Sequence, residues 1–393
     1  MKILLLGEYS NLHATLAEGL RQLGHQVLLV SDGTNIYNYK RDISLYRKGK
    51  GRFEALKYIA KLAWTLPKLR GFDIVQLINP DFVALKAERQ YPIYNYLRRN
   101  NGKMILGAFG SDWQWVKRGL KDKIFRYGDF NVGDRLRTND YTQRTIREWY
   151  GSAKGELSQF IAKDCDAIIS CLYEYQVSYE SDYPDKTHFI PLPIIPKDSI
   201  SVAERKAGQP VRFFLGIKRE LMEIKGTDIF YRALHRLKEQ YPEQCEITIV
   251  EDLPFEAYIK KMEGQDVILD QAYSYTPAMN GLEAMSRGLI CVGGGEKENY
   301  EILGENSLFP IINIYPDDES VYQALEQLIL HPERISLLQK QSIEYVIKHH
   351  HYIDVAKKYI EIYQKTLGGE NIAEKHLQLF PHRFGRCHCF YLF

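Results

Sequence analysis

The run Thr276-Pro-Ala-Met-Asn-Gly-Leu-Glu-Ala-Met-Ser-Arg-Gly288 has the pattern of a helix with a sharp start and stop. Thr276 is of a type that caps a helix, Pro277 suits the first helical position, and Gly288 suits the left-handed residue that ends it. Such a start presents unpaired N–H groups and a positive dipole end, which attract phosphate. Glu283, two turns in, is within reach of a sugar hydroxyl beside that phosphate. The apolar run Leu289-Ile-Cys-Val292 and the loop Gly293-Gly-Gly-Glu296 come next.

A second cluster is Phe213-Phe-Leu-Gly-Ile-Lys-Arg-Glu-Leu-Met-Glu-Ile-Lys-Gly226. A strand ends at Gly216, basic residues come after it, and Lys225-Gly226 opens a helix. Arg219 and Lys225 can both project from the top of this sheet, with Lys218 competing for the first role. A departing phosphoryl group gathers negative charge that cations stabilise. Arginine grips phosphate at two points, whereas lysine acts as a point charge. Alone, the segment reads as a solvated charged loop; beside a helix start at Thr276, the phosphate reading prevails.

The elements that must hold these groups alternate. Strands are expected at Lys2–Gly7, Val27–Val30, Asp73–Ile78, Lys103–Leu106, Asp166–Ser170 and Thr187–Pro191, with helices at Asn11–Leu23 and near Leu157–Ala162. Leu192–Pro210, with three prolines, reads as a linker. Alternation resumes with strands at Val211–Leu215, Glu246–Val250 and Val267–Leu269. Helices are expected at Thr227–Tyr241, Phe255–Met262, Glu319–Leu330, Glu333–His349 and Ile353–Leu367. The fold class is α/β: two doubly wound Rossmann-like domains facing across a cleft. The first spans 1–195 and the second 210–350. The 353–367 helix is expected to pack back on the first domain, and 368–393 is an irregular tail.

The first turn, Leu6-Gly-Glu-Tyr-Ser-Asn-Leu-His13, has one glycine, which disfavours dinucleotide binding there. Ser10 or Asn11 is expected to cap the next helix, and His13 can face the cleft, although a lone histidine there is more often a surface or packing residue. Ser111 or Asp112 either caps a helix near Trp113 or, for Asp112, orients an acceptor hydroxyl. The 393 residues are 45% hydrophobic, enough for two or three domains. A formal net charge of +2 argues against a general polyanion binder. The 28 tyrosines read mainly as packing. Six scattered cysteines fit neither a disulfide framework nor a zinc site, and Cys387-His-Cys389 lacks a second ligand pair. No run is apolar for long enough to cross a bilayer, and a cytoplasmic location is expected.

Over about Gly216–Glu301 the chain resembles retaining glycosyltransferases of the GT-B fold in the group-1 (family 4) class. Arg219 and Lys225-Gly226 match that class's basic residue and Lys-Gly pair. Glu283 matches the second of its two glutamates eight positions apart, which contacts ribose. The first falls at Tyr275 and is not acidic. Gly294 and Gly295 resemble its glycine loop, Glu298 or Glu301 the acid beyond, and Ile249–Asp252 its base-pocket strand. The resemblance implies a nucleotide diphosphate sugar donor held by Gly216, Thr276, Ala278, Met279 and Glu283. Arg219 and Lys225 would neutralise the leaving diphosphate, and Asp112 would serve on the acceptor side. It implies retention, no cofactor, no obligatory metal, and a glycan or lipid-linked acceptor in bacterial surface polysaccharide synthesis. No nucleic acid partner is expected. Peripheral contact with the inner membrane face is an expectation, and the basic stretch Tyr37–Arg52 reads equally as a contact for anionic lipid or as a flexible loop lining the acceptor cleft. An epimerase of the same fold and a non-catalytic subunit are the alternatives.

Overall fold

Short apolar runs between helices must pair in parallel and be covered on both faces. In this computed structural model, which describes residues 1–33, 38–49, 51–197, 200, 202, 204–206 and 208–368, they form two such sheets. The first holds β1 (Lys2–Leu6), β2 (Gln26–Ser31), β3 (Ile43–Ser44), β4 (Ile74–Leu77) and β5 (Lys103–Ala108). A two-stranded hairpin, β6 (Asn131–Val132) and β7 (Arg135–Leu136), stands apart before β8 (Ala167–Ser170) and β9 (Thr187–Phe189) complete the sheet. Its order is β3-β2-β1-β4-β5-β8-β9. The second sheet holds β10 (Val211–Ile217), β11 (Cys245–Glu251), β12 (Val267–Leu269), β13 (Ile290–Gly293) and β14 (Ile312–Asn313), in the order β11-β10-β12-β13-β14. Every pairing in both sheets is parallel. Strand order reverses beside β1 and beside β10, and ligands bind in crevices at such switch points.

The closing helix, Tyr352–Thr366, lies against the Leu12–Gln22 helix of the first domain. The contact depends on Gly19, where a Cβ would sit 2.7 Å from the Tyr352 carbonyl oxygen and 2.9 Å from the Ala356 Cβ. The Tyr363 hydroxyl donates to Gln76 Oε1 on β4 at 2.6 Å. The chain thus crosses twice between domains, and the crossings meet where Ile194 pairs with His351. The segment 369–393, with Cys387-His-Cys389, lies outside the described residues.

The Leu12–Gln22 helix is not capped as expected. Ser10 and Asn11 both have left-handed backbone, φ 51° and 70°, and Asn11 makes no side-chain cap. Glu8 reaches forward instead and accepts the N–H groups of His13 (3.1 Å) and Ala14 (2.8 Å). Burial raises its pKa to about 8, against the pull of those amides. A folded-state pKa above the unfolded 4.5 gives stability that is fully present below pH 4.5 and lost as pH rises through about 8. Glu8→Gln, a mimic of the protonated acid, is therefore expected to flatten the fall in melting temperature across that window. Parallel curves for wild type and variant would contradict this.

Candidate nucleotide site between the two domains

The carboxyl ends of β1 and β10 face one cavity of about 280 Å³. Ser10, Asn11 and Tyr39 line it from the first domain. From the second come Gly216, Lys218 and Lys225, then Asp252 and Tyr258, then Ala278–Asn280 and Glu283. Gly216 is required here, because a Cβ would stand 2.4 Å from the Tyr258 ring that walls the cavity. Tyr39 and Phe255 meet edge to face across the opening, 6.1 Å between centroids.

Lys225 is half-buried. Burial pushes its ammonium below the ordinary lysine value, nearby Asp270 opposes that, and Lys218 adds to it. A lysine held this way gains by meeting an anion. Gly226 takes the left-handed conformation (φ 70°) that turns the chain from Lys225 into the Thr227–Gln240 helix. Asp270 is buried and accepts from the Ala278 N–H at 3.2 Å and the Asn280 side-chain amide at 3.4 Å.

The helix expected to start at Thr276 spans Met279–Ser286 instead. Its N-cap is Ala278, which has no side-chain oxygen to offer, and the helix has no side-chain cap. Met279 and Asn280 therefore open it beside the cavity, as the phosphate reading requires, while the Ala278 amide is already engaged by Asp270. Gly288, at φ 82°, ends the turn beyond it. Glu283 lines the cavity, with Oε1 held by Arg287 at 2.6 and 2.9 Å.

Three of the expected site residues, Arg219, Asp112 and Thr276, do not line the cavity, and the Thr276 hydroxyl donates to Glu174 of the first domain. Arg219 points to solvent with 74% of its side chain exposed, and it pairs with Glu251. Lys218 is the cation beside Lys225 in the cavity. Asp112 is fully buried and caps the Trp113–Lys117 helix, accepting the Trp115 N–H at 2.9 Å. Its other oxygen accepts the Tyr179 hydroxyl at 2.7 Å, and burial raises its pKa to about 6. Both oxygens are thus engaged inside the first domain. His13 is likewise internal: its Nε2 accepts from Gln76, so Nδ1 donates to the Gly7 carbonyl at 2.9 Å.

A polar clasp joins the domains beside the cavity. Glu174 of the first domain accepts the Tyr275 N–H at 2.7 Å, the Thr276 hydroxyl at 2.8 Å and the Ser274 hydroxyl at 3.1 Å. Thr276 spends its hydroxyl here, which is why it does not cap. Tyr275 is 2% exposed. Its hydroxyl accepts the Arg126 N–H at 2.7 Å, and its ring stacks on Tyr173 at 5.7 Å with planes 20° apart. The Arg126 guanidinium lies 4.7 Å over that ring and pairs with Glu296 and Glu298. Gly294 permits the close approach, since a Cβ there would lie 2.6 Å from the Ser274 carbonyl oxygen and 2.8 Å from the Thr276 nitrogen. Sequence patterns carry no sign of Glu174 or Arg126, whose partners lie at least 100 positions away.

No protein-family model matches the chain, and no curated protein matches it by sequence. Solved structures do. Sucrose-phosphate synthase from Thermosynechococcus elongatus is similar with a TM-score of 0.56 at 14% identity, over 94% of this chain and 99% of that one. HepE of Anabaena in complex with UDP and glucose gives 0.58 at 11% identity, over 93% and 100%. The catalytic domain of starch synthase IV from Arabidopsis thaliana, bound to ADP and acarbose, gives 0.59 at 10% identity, over 93% and 99%. The fold is GT-B. The GT-B cleft is the cavity between the two sheets, and Lys218, Lys225, the Met279 helix start and Glu283 surround it.

Proposed function

We propose that this GT-B protein is a glycosyltransferase that moves a sugar from a nucleotide diphosphate sugar to a glycan or lipid-linked acceptor. The observation that carries this reading is the convergence of two lysines and one uncapped helix start on a single interdomain cavity. Lys218, Lys225 and the Met279 and Asn280 amides would take up the charge on the departing diphosphate. Glu283 would hold the ribose through the carboxylate oxygen that Arg287 leaves open. The group-1 resemblance supports retention at the anomeric carbon, no obligatory metal and a role in bacterial surface polysaccharide synthesis. Among the described residues no helix is long and apolar enough to cross a membrane. We place the protein in the cytoplasm, in peripheral contact with the inner membrane face.

A second reading, a non-catalytic subunit of the same fold, has one observation behind it. Tyr275 stands where the class has its sugar-facing glutamate, and its hydroxyl is engaged by the opposite domain. A thermal-shift screen over UDP, GDP, ADP and CMP sugars, then radiolabelled transfer to a glycan or lipid extract, decides between the two. Stabilisation by a donor is expected, because a ligand that binds only the folded state raises apparent stability by mass action. Binding without transfer favours the subunit reading. An epimer formed from donor alone favours the epimerase, and no binding by any donor defeats the nucleotide site itself.

A further inference from the structure

The Arg52–Thr65 helix bears an apolar stripe that no described residue covers. Tyr58, Leu62 and Thr65 on its inner side are buried in the first domain. On its outer side Phe53 is 68% exposed, Leu56 66% and Trp64 68%. At 3.6 residues per turn these three share one face with Ala60 between them, and Lys57, Lys61 and Lys68 form the adjoining row. Lys57 lies 4.3 Å over the Phe53 ring and Lys68 lies 3.2 Å over the Trp64 ring. The charge around this helix is one-sided. Eight of the chain's 52 basic residues fall between Arg47 and Arg70, but only one of its 50 acidic residues, Glu54. The remainder of the chain is net acidic. Glu54 is itself paired with Lys57 at 3.1 Å.

We propose that this helix docks on an anionic lipid surface, with Phe53, Leu56 and Trp64 entering the acyl boundary and the lysine row meeting the headgroups. Protein–protein interfaces are depleted in lysine. Helices that lie in a bilayer interface combine Trp, Phe and Leu with lysines that snorkel toward phosphate. The helix also packs on the carboxyl-end side of the first sheet, the side from which Ser10 and Asn11 reach the cavity. The Tyr58 hydroxyl accepts the Ala84 N–H at 3.0 Å, in the loop beyond the carboxyl end of β4. Docking would therefore turn the cleft mouth toward membrane-borne acceptors. This deepens the peripheral-membrane part of the proposed function and rests on it, moving the contact from the basic stretch Tyr37–Arg52 to the helix just after it.

Flotation of the full chain with vesicles tests it. Wild type is expected to float with equal parts phosphatidylglycerol and phosphatidylcholine, to float less at high salt, and to stay down with phosphatidylcholine alone. The triple variant Phe53→Ser, Leu56→Ser, Trp64→Ser is expected to lose ~10-fold or more in vesicle affinity, from the transfer energy of three large side chains. Its melting temperature and its shift with nucleotide should match wild type, so a failed donor screen would not be mistaken for a failed surface. The proposal is overturned if wild type does not float with anionic vesicles at low salt, or if the triple variant floats equally well. It is also overturned if wild type is a dimer that the triple substitution splits, with no lipid binding, for then the occupant is a second copy.

Discussion

Lys225→Ala is expected to lower sugar transfer by ~100- to 1,000-fold, the cost of removing one preorganised group from a developing anion. The size reflects the position of the ammonium. Lys225 is half-buried, and burial pushes its pKa down. An anion delivered into the cavity relieves that penalty, and the relief grows as charge leaves the sugar for the diphosphate. The loss should therefore fall more on kcat than on KM. Asp270 would lose the nearby charge of Lys225, but it keeps the Ala278 N–H and the Asn280 amide. Lys225→Met, which retains most of the volume, separates lost charge from lost packing. Arg219→Ala is the contrast, because that guanidinium faces solvent and pairs with Glu251. Near-wild-type transfer by the Arg219 variant and collapse in both Lys225 variants is the expected pattern. If Lys225→Ala and Lys225→Met retain normal turnover, the diphosphate does not sit between Lys225 and the Met279 helix.

How legible each part was depended on whether its determinants were local. The two doubly wound domains were legible because each core strand is an apolar run set off by turn residues. The Phe255–Met262 helix and the Val267–Leu269 strand fall at their expected limits. The edge strands β3 and β14 have two residues each, too few to show a period. Lys218 and Arg219 were hard to tell apart because β10 continues to Ile217, two residues past the expected end. Lys218 is still extended and lines the cavity, whereas Arg219 opens a 3-10 turn and faces solvent. The capping residues failed for another reason. Thr276 has the right chemistry for a cap, but its hydroxyl is drawn to Glu174 across the domain boundary. Ser10 and Asn11 likewise yield to Glu8, a residue before the turn. A capping rule sees neighbours along the chain, and these competitors arrive through the fold.

Glu174→Ala should show how far the second domain depends on the first for its binding turn. Three donors on residues 274–276 point at one buried carboxylate; the Tyr275 N–H and the Thr276 hydroxyl would lose their acceptor, while the Ser274 hydroxyl keeps the Thr276 carbonyl at 2.6 Å. An unsatisfied buried donor costs ~1–3 kcal/mol, so the variant should lose several kcal/mol unless the domains part and let water in. Either outcome loosens Ser274–Thr276, which leads directly into the Met279 helix start. The expected result is a lower melting temperature together with a donor affinity reduced by ~10-fold or more, since binding must now also order the turn. Glu174→Gln keeps one acceptor oxygen but directs an NH2 at groups that already donate, so it should fall between wild type and alanine. Calorimetry in the presence and absence of nucleotide separates the two effects. If Glu174→Ala lost stability but bound nucleotide as wild type does, the clasp would hold the domains together without shaping the site. If it lost neither, the three hydrogen bonds would contribute nothing that water cannot replace. Domain closure and the diphosphate turn set by the same carboxylate would instead produce a loss of both, partly restored in the glutamine variant.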